Sequence, residues 1–448
     1  MRSFIFSALS LFSSVLASGS FESSWGSGHS FDSRHSHIAR QIDVVAGANV
    51  TNATEVEMVA SAWYTGWHAT DFPLSNVSWY KYTHLTYAFG ITVDDPSTIS
   101  LNDSDVELLP QFVSQAHEND VTASLSIGGW TGSRFYSTNV GSAENRTLFV
   151  KAVTDLADKY SLDGIDFDWE YPANQGIGCN AISTNDTANF LAFLQELRST
   201  STGSKLILTA ATAIKPFFNT TGSPSSDVSA FAKVLDYVEV MNYDIWGSWS
   251  TAVGPNSPLN DTCAPPADQQ GSAVSAVAAW HAAGMPFAQI ALGVASYGHS
   301  FAVNTTFALA NGSTTELAAY PSFNSSAFPV GDAWDDAPSV DVCGVFENQG
   351  GLWDFWGLID AGLLNSNGSV AAGVPSRFDE CSKTNYVYNT TTQVMISYDD
   401  AGAFAAKGAF IKDTGLRGFA MWEAGGDSSD ILLDAILEAS GFDIDDCE

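Results

Sequence analysis

Eight short runs of apolar or alternating residues recur along this chain, with segments of helical character between most of them, and that succession constrains the fold most. The runs are Val59–Tyr64, Thr83–Gly90, Val121–Gly128, Leu162–Glu170, Lys205–Thr212, Tyr237–Asp244, Ile290–Tyr297 and Leu416–Trp422. Between them Asp105–His117, Ala143–Tyr160, Asp186–Leu197, Val228–Leu235, Ala273–Ala283 and Ala401–Asp413 read as helices, and Asp430–Ala439 closes the series. Strand and helix alternating in this way predict an α/β fold, a (β/α)8 TIM barrel.

The spacing between the seventh and eighth strands is too long for one crossover helix. Residues 300–392, rich in aromatics such as Tyr320, Trp334, Phe346 and Trp353 and in turn residues, are therefore expected to form an inserted subdomain walling a cleft. With 448 residues and a barrel of about 250, the expected organisation has five parts. These are a signal peptide (1–17), a disordered Ser/Gly/His-rich leader (18–55), barrel strands one to seven (56–299), the insertion (300–392), and strand eight with the final helix (393–448). His29, His35 and His37 sit in the leader, where a tail without fixed geometry is a better reading than a metal site.

Within the fourth run, Leu162 to Pro172 alternates carboxylates with large apolar residues. At strand periodicity Asp166, Asp168 and Glu170 project to one face, and Ile165, Phe167 and Trp169 to the other. Carboxylates this close cannot all be ionised, so one keeps a proton near neutral pH. Glu170, last in the row, is the candidate general acid. A calcium loop would want a Gly- and Asn-rich turn, and the interleaved Ile, Phe and Trp speak for a buried strand instead. The C-terminal strand ends, where barrel active sites lie, also carry Tyr64, Phe89, Ser126, Tyr243, Asp244, Tyr297 and Trp422.

A formal net charge of -33 argues against binding nucleic acid or an anionic membrane, while a neutral polysaccharide is unaffected. Met1–Ala17 reads as a cleaved secretory signal, and Asn-X-Ser/Thr triplets from Asn49 to Asn389 suit a glycosylated extracellular protein. Five cysteines in an oxidising compartment leave one over. Cys179 and Cys263 follow strands four and six on one barrel rim and are expected to pair, Cys343 with Cys381 second, leaving Cys447 free.

These residues resemble the chitinases of glycoside hydrolase family 18 over nearly all of the mature length. Asp163-Gly-Ile-Asp166-Phe-Asp168-Trp-Glu170 is similar to that family's DxxDxDxE signature, and Ser126-Ile-Gly128-Gly129 to its SxGG motif; Met241-Asn-Tyr243-Asp244 and Met421-Trp422-Glu423 also match. The segment 300–392 looks like the family's α+β insertion, and the opening Ala62–Trp67 and the sequons look like a fungal secreted member. The resemblance implies retaining, substrate-assisted hydrolysis of β-1,4-linked N-acetylglucosamine polymers, with no cofactor and no metal. Glu170 would be acid and then base, Asp168 would orient the substrate acetamido group, and Asp166 would share a proton behind it. Tyr243 would assist that acetamido group, Asp244 would bind a sugar hydroxyl, and Trp422 would form the floor, with Tyr64, Phe89 and Tyr297 completing the pocket. Trp130, Trp246 and Trp249 would line outer subsites, and Asp163 would be structural. Two departures, Ile245-Trp246 where Phe is common and His299 where Arg is common, touch the groove edges and not the acid. A monomer is expected. Alternatives are an inactive sugar-binding lectin on the same barrel and an enzyme acting on the chitobiose core of N-linked glycans.

Overall fold

In a computed structural model, which describes residues 58–311 and 313–442, eight parallel strands close on themselves. They are β1 (Val59–Thr65), β2 (His84–Thr92), β3 (Thr122–Gly128), β4 (Gly164–Asp168), β5 (Ile207–Thr212), β6 (Tyr237–Val240), β7 (Ile290–Ala295) and β8 (Gly418–Trp422). Each pairs with its sequence neighbour, and β8 pairs back onto β1. This is the expected (β/α)8 barrel. The expected signal peptide, leader and Cys447 lie outside the described residues.

Outward side chains of the strands pack on the helices. Phe167 meets Phe193 of the helix Asp186–Ser199 edge to face at 5.4 Å, and Trp169 stacks on Tyr136 at 4.9 Å. Local sequence sets the helix ends: Ser142 Oγ accepts from Asn145 N ahead of Ala143–Tyr160, and Asp400 Oδ1 from Ala403 N ahead of Ala401–Thr414. The helix expected over Val228–Leu235 is reduced to one 3-10 turn, Phe231–Lys233. A segment that short gains too few hydrogen bonds to offset helix nucleation.

Inward side chains stack in layers drawn from alternate strands. Pairings such as Thr86 with Ser124, Ser124 with Gly164, Asp166 with Thr209 and Thr209 with Tyr237 define the register. Strand tilt advances it by one residue per strand. Thr86, Asp166, Glu239 and Ala420 therefore share one layer, and Ala88, Asp168, Met241 and Trp422 the next, nearer the C-terminal ends.

After β7 the chain enters a five-stranded antiparallel sheet ordered Leu352–Asp354, Tyr297–Ala302, Val394–Tyr398, Thr384–Asn389, Ser376–Asp379. That layer runs past the expected boundary at residue 392, because Val394–Tyr398 finds its partner in Tyr297–Ala302 and not in the barrel. The disulfides also differ from expectation. Cys179 pairs with Cys343 and Cys263 with Cys381, at Cα separations of 5.5 and 6.2 Å. Each insertion cysteine crosses to a different barrel loop, since the insertion meets the rim at both places.

Candidate active site

The row on β4 has the expected parity. Asp166 and Asp168 point into the barrel and are buried, while Ile165, Phe167 and Trp169 face the helices. The strand ends at Asp168, and Glu170 lies just past it, with Ser133 Oγ accepting from its backbone N–H and its carbonyl accepting from Asn180 Nδ2. Asp163, at the opposite end, accepts from Ala123 N and lies 2.8 Å from His117 Nε2, away from the cleft.

The Ser126-Ile-Gly128-Gly129 segment supports this row. Ser126 Oγ donates to Asp166 Oδ2 at 2.7 Å, Thr209 Oγ1 to Oδ1 at 2.9 Å, and Trp63 Nε1 to Oδ2 at 3.3 Å. Gly128 has φ 115°, and a Cβ there would come within 2.0 Å of the Asp168 carbonyl oxygen, so neither strain nor space allows a side chain.

Above Asp168 opens a cleft of about 770 Å³ bounded by Trp63, Trp67, Phe89, Trp130, Glu170, Tyr243, Asp244, Tyr297, Asp336 and Trp422, among others. Trp67, Phe89 and Trp422 form a continuous aromatic wall: Phe89 lies nearly parallel to Trp422 at 5.6 Å and to Trp67 at 6.0 Å. Next to Trp422, Tyr297 donates its hydroxyl to Asp244 Oδ1 at 2.7 Å, and His299 Nε2 lies 2.7 Å from the same oxygen. His299, a departure from the family pattern, thus contacts Asp244 and packs edge-on to Trp249, which is exposed.

Two expected cleft residues are elsewhere. Tyr64 faces outward, packing on Tyr87 and Phe112 and donating to Phe72 O, because β1 presents Trp63 to the interior. Trp246 is 2% exposed and packs under Tyr320 of the insertion, while the preceding Ile245 borders the cleft. Sequence reading gave no cleft role to Trp63, Trp67, Met241 or Asp336, all of which line it. Strand parity with Ser61 was the available signal for Trp63; nothing local marks Asp336, which the insertion brings in.

Burial dominates the electrostatics. It pushes Glu170 up to about 7, opposed by a hydrogen bond from Tyr171 and assisted by the Asp244 charge. Asp168 is driven well above the carboxylate range by burial and then by its neighbours Glu170 and Asp166, and its Oδ1 has no partner. Asp166 is raised by burial against the pull of its donors. An acid that is protonated near neutrality therefore stands at the cleft, backed by a buried acid pair.

A sequence model of the glycosyl hydrolases family 18 matches residues 60–427. The chain is 55% identical to a "chitinase-like effector" of Moniliophthora perniciosa, covering 88% of this chain and 90% of that one. It is 53% identical to a protein of the same description from Moniliophthora roreri, covering 88% and 95%. Its structure is similar to the crystal structure of a chitinase from Rhizomucor miehei, with a TM-score of 0.76 and 32% identity over 85% of this chain and 99% of that chain.

Proposed function

The chain belongs to glycoside hydrolase family 18, and from that premise we propose that it is a secreted chitinase cleaving β-1,4 linkages between N-acetylglucosamine units with retention. The observation that carries this reading is Glu170, a carboxylic acid held up to about 7 at the edge of an aromatic-walled cleft with Asp168 and Asp166 behind it.

In the proposed reaction the sugar before the scissile bond stacks on Trp422, whose indole face covers the apolar C–H face of the ring. Glu170 gives its proton to the glycosidic oxygen as the C1–O bond breaks, and the acetamido oxygen of the same sugar bonds to C1. Asp168 accepts from the acetamido N–H, and Tyr243 donates to the acetamido oxygen. Glu170, now a carboxylate, takes a proton from water as that water bonds to C1; the bond from C1 to the acetamido oxygen breaks, the acetamido group is regenerated, and Glu170 is again protonated. Secretion is supported by the Met1–Ala17 segment and by the described sequon asparagines from Asn76 to Asn389, none of which is buried.

The relatives described as chitinase-like effectors favour a second reading, capture of the sugar without cleavage. Products from N-acetylglucosamine hexamer, analysed early for length and anomeric form, separate the two. Hydrolysis predicts short β-anomeric products from the wild type and a loss of about 100-fold or more in Glu170→Gln with binding retained. Binding by both proteins with no product from either assigns the chain to capture.

A further inference from the structure

A third carboxyl group faces the barrel interior and has no part in the mechanism above. Glu239, on β6, is 1% exposed and lies in the layer of Thr86, Asp166 and Ala420. Because β4 and β6 are successive contributors to that layer, Asp166 and Glu239 are neighbours across it. Two carboxylates side by side and away from water cannot both be charged.

Hydrogen bonding decides which one carries the proton. Asp166 accepts from Ser126, Thr209 and Trp63, three donors that suit a carboxylate. Neither Glu239 oxygen accepts from a donor in good geometry: its hydrogen-bonding neighbour across the layer is the Asp166 carboxylate, itself an acceptor, and the Thr209 hydroxyl donates to Asp166 instead. The groups facing Glu239 are Asp166 and Asp168 from β4 and Thr209 from β5, with Tyr237 on its own strand and Tyr243 beyond it; β7 offers only Ala291 in register. None is a cation. Burial, then the Asp166 charge, drives Glu239 well above the usual range.

We propose that Glu239 is a positioning residue: as a neutral acid its O–H donates to Asp166, holding Asp166 anionic and leaving the other proton of the row to Asp168 and Glu170. This rests on the hydrolytic reading for its effect on rate, and on this layer alone for its protonation. Without the donor, Asp166 would draw the proton from Asp168, and a charged Asp168 would face Glu170.

The test compares Glu239→Gln and Glu239→Met in the full chain, with thermal melting to confirm folding. Gln keeps a neutral donor, so kcat stays within about twofold and the alkaline limb of kcat/KM does not move. Met fills the space without donating; kcat drops about tenfold, KM is nearly unchanged, and the alkaline limb moves to higher pH. A limb displaced by Gln, or a Met variant with the wild-type profile, overturns the proposal. Infrared difference spectra of unliganded wild type minus Glu239→Gln at neutral pH should carry the carbonyl stretch of one protonated carboxylic acid. Absence of that band also overturns it, and since this readout needs no turnover, failure here is distinguishable from failure of the hydrolytic reading.

Discussion

Trp130 and Trp246 both follow the C-terminal ends of barrel strands, yet Trp130 is 50% exposed in the cleft and Trp246 is 2% exposed beneath Tyr320. Substitution separates their roles. Trp246→Ala should cost roughly 3–5 kcal/mol of stability in denaturant melts, while Trp130→Ala should leave the melt unchanged and raise KM for N-acetylglucosamine hexamer by about tenfold, the value of one lost stacking contact. At Glu170 the prediction concerns pH. The acid must hold its proton to act, so kcat/KM should be sustained below about 7 and fall as pH rises through that value; a profile flat through pH 7 to 8 would remove Glu170 from the role of acid. The row Asp166, Asp168, Glu170 was legible in the sequence because strand alternation is a local property. Trp63 and Tyr64 show the limit of such reading: adjacent residues in a strand point to opposite faces, and only closure of the barrel says which face is inside.

Among the elements, the antiparallel sheet after β7 has the most consequence for the cleft. It supplies Tyr297 and His299 to Asp244, and the inserted chain between its strands brings Asp336 to the cleft. Cys179–Cys343 ties the hairpin Ser339–Val340/Phe346–Glu347 to the loop after β4, which carries Glu170, and Cys263–Cys381 ties the sheet to the loop after β6. These bridges close long stretches of chain, 164 and 118 residues apart in sequence. Cys343→Ser should therefore lower stability by about 2–5 kcal/mol in urea melts. Non-reducing peptide maps should show Cys179 joined to Cys343; a Cys179–Cys263 peptide would contradict the structure. The expected pairing failed because adjacency on a rim was inferred from strand order, whereas a disulfide forms where Cα atoms come within a few ångströms of each other. The boundary at 392 failed similarly: a strand is recognisable locally, but the sheet it joins is not.

Across the whole molecule, buried acids and a net charge of -33 act in the same direction. Burial raises Glu170 to about 7 and Asp427 to about 6, above the ordinary 4.5 and 3.8 of an unfolded chain. The stability linked to such raised groups is fully present below the unfolded values and is lost as pH rises through 6 to 7. Self-repulsion also grows with pH. The melting temperature should accordingly rise as pH is lowered from 8 to 5, and a melt unchanged over that range would show that these groups titrate normally. By itself the sequence determined the barrel, the parity of the acidic row, Gly128 beside it and the presence of an insertion, because each follows from the period of a strand or a helix or from the spacing of elements along the chain. The tertiary structure alone decided that Trp63 and not Tyr64 faces the acids, that Trp246 is core, which cysteines meet, and that Glu239 stands beside Asp166. Those contacts join residues far apart in the chain, and their geometry is set by strand tilt, register and the seating of the inserted sheet on the barrel rim.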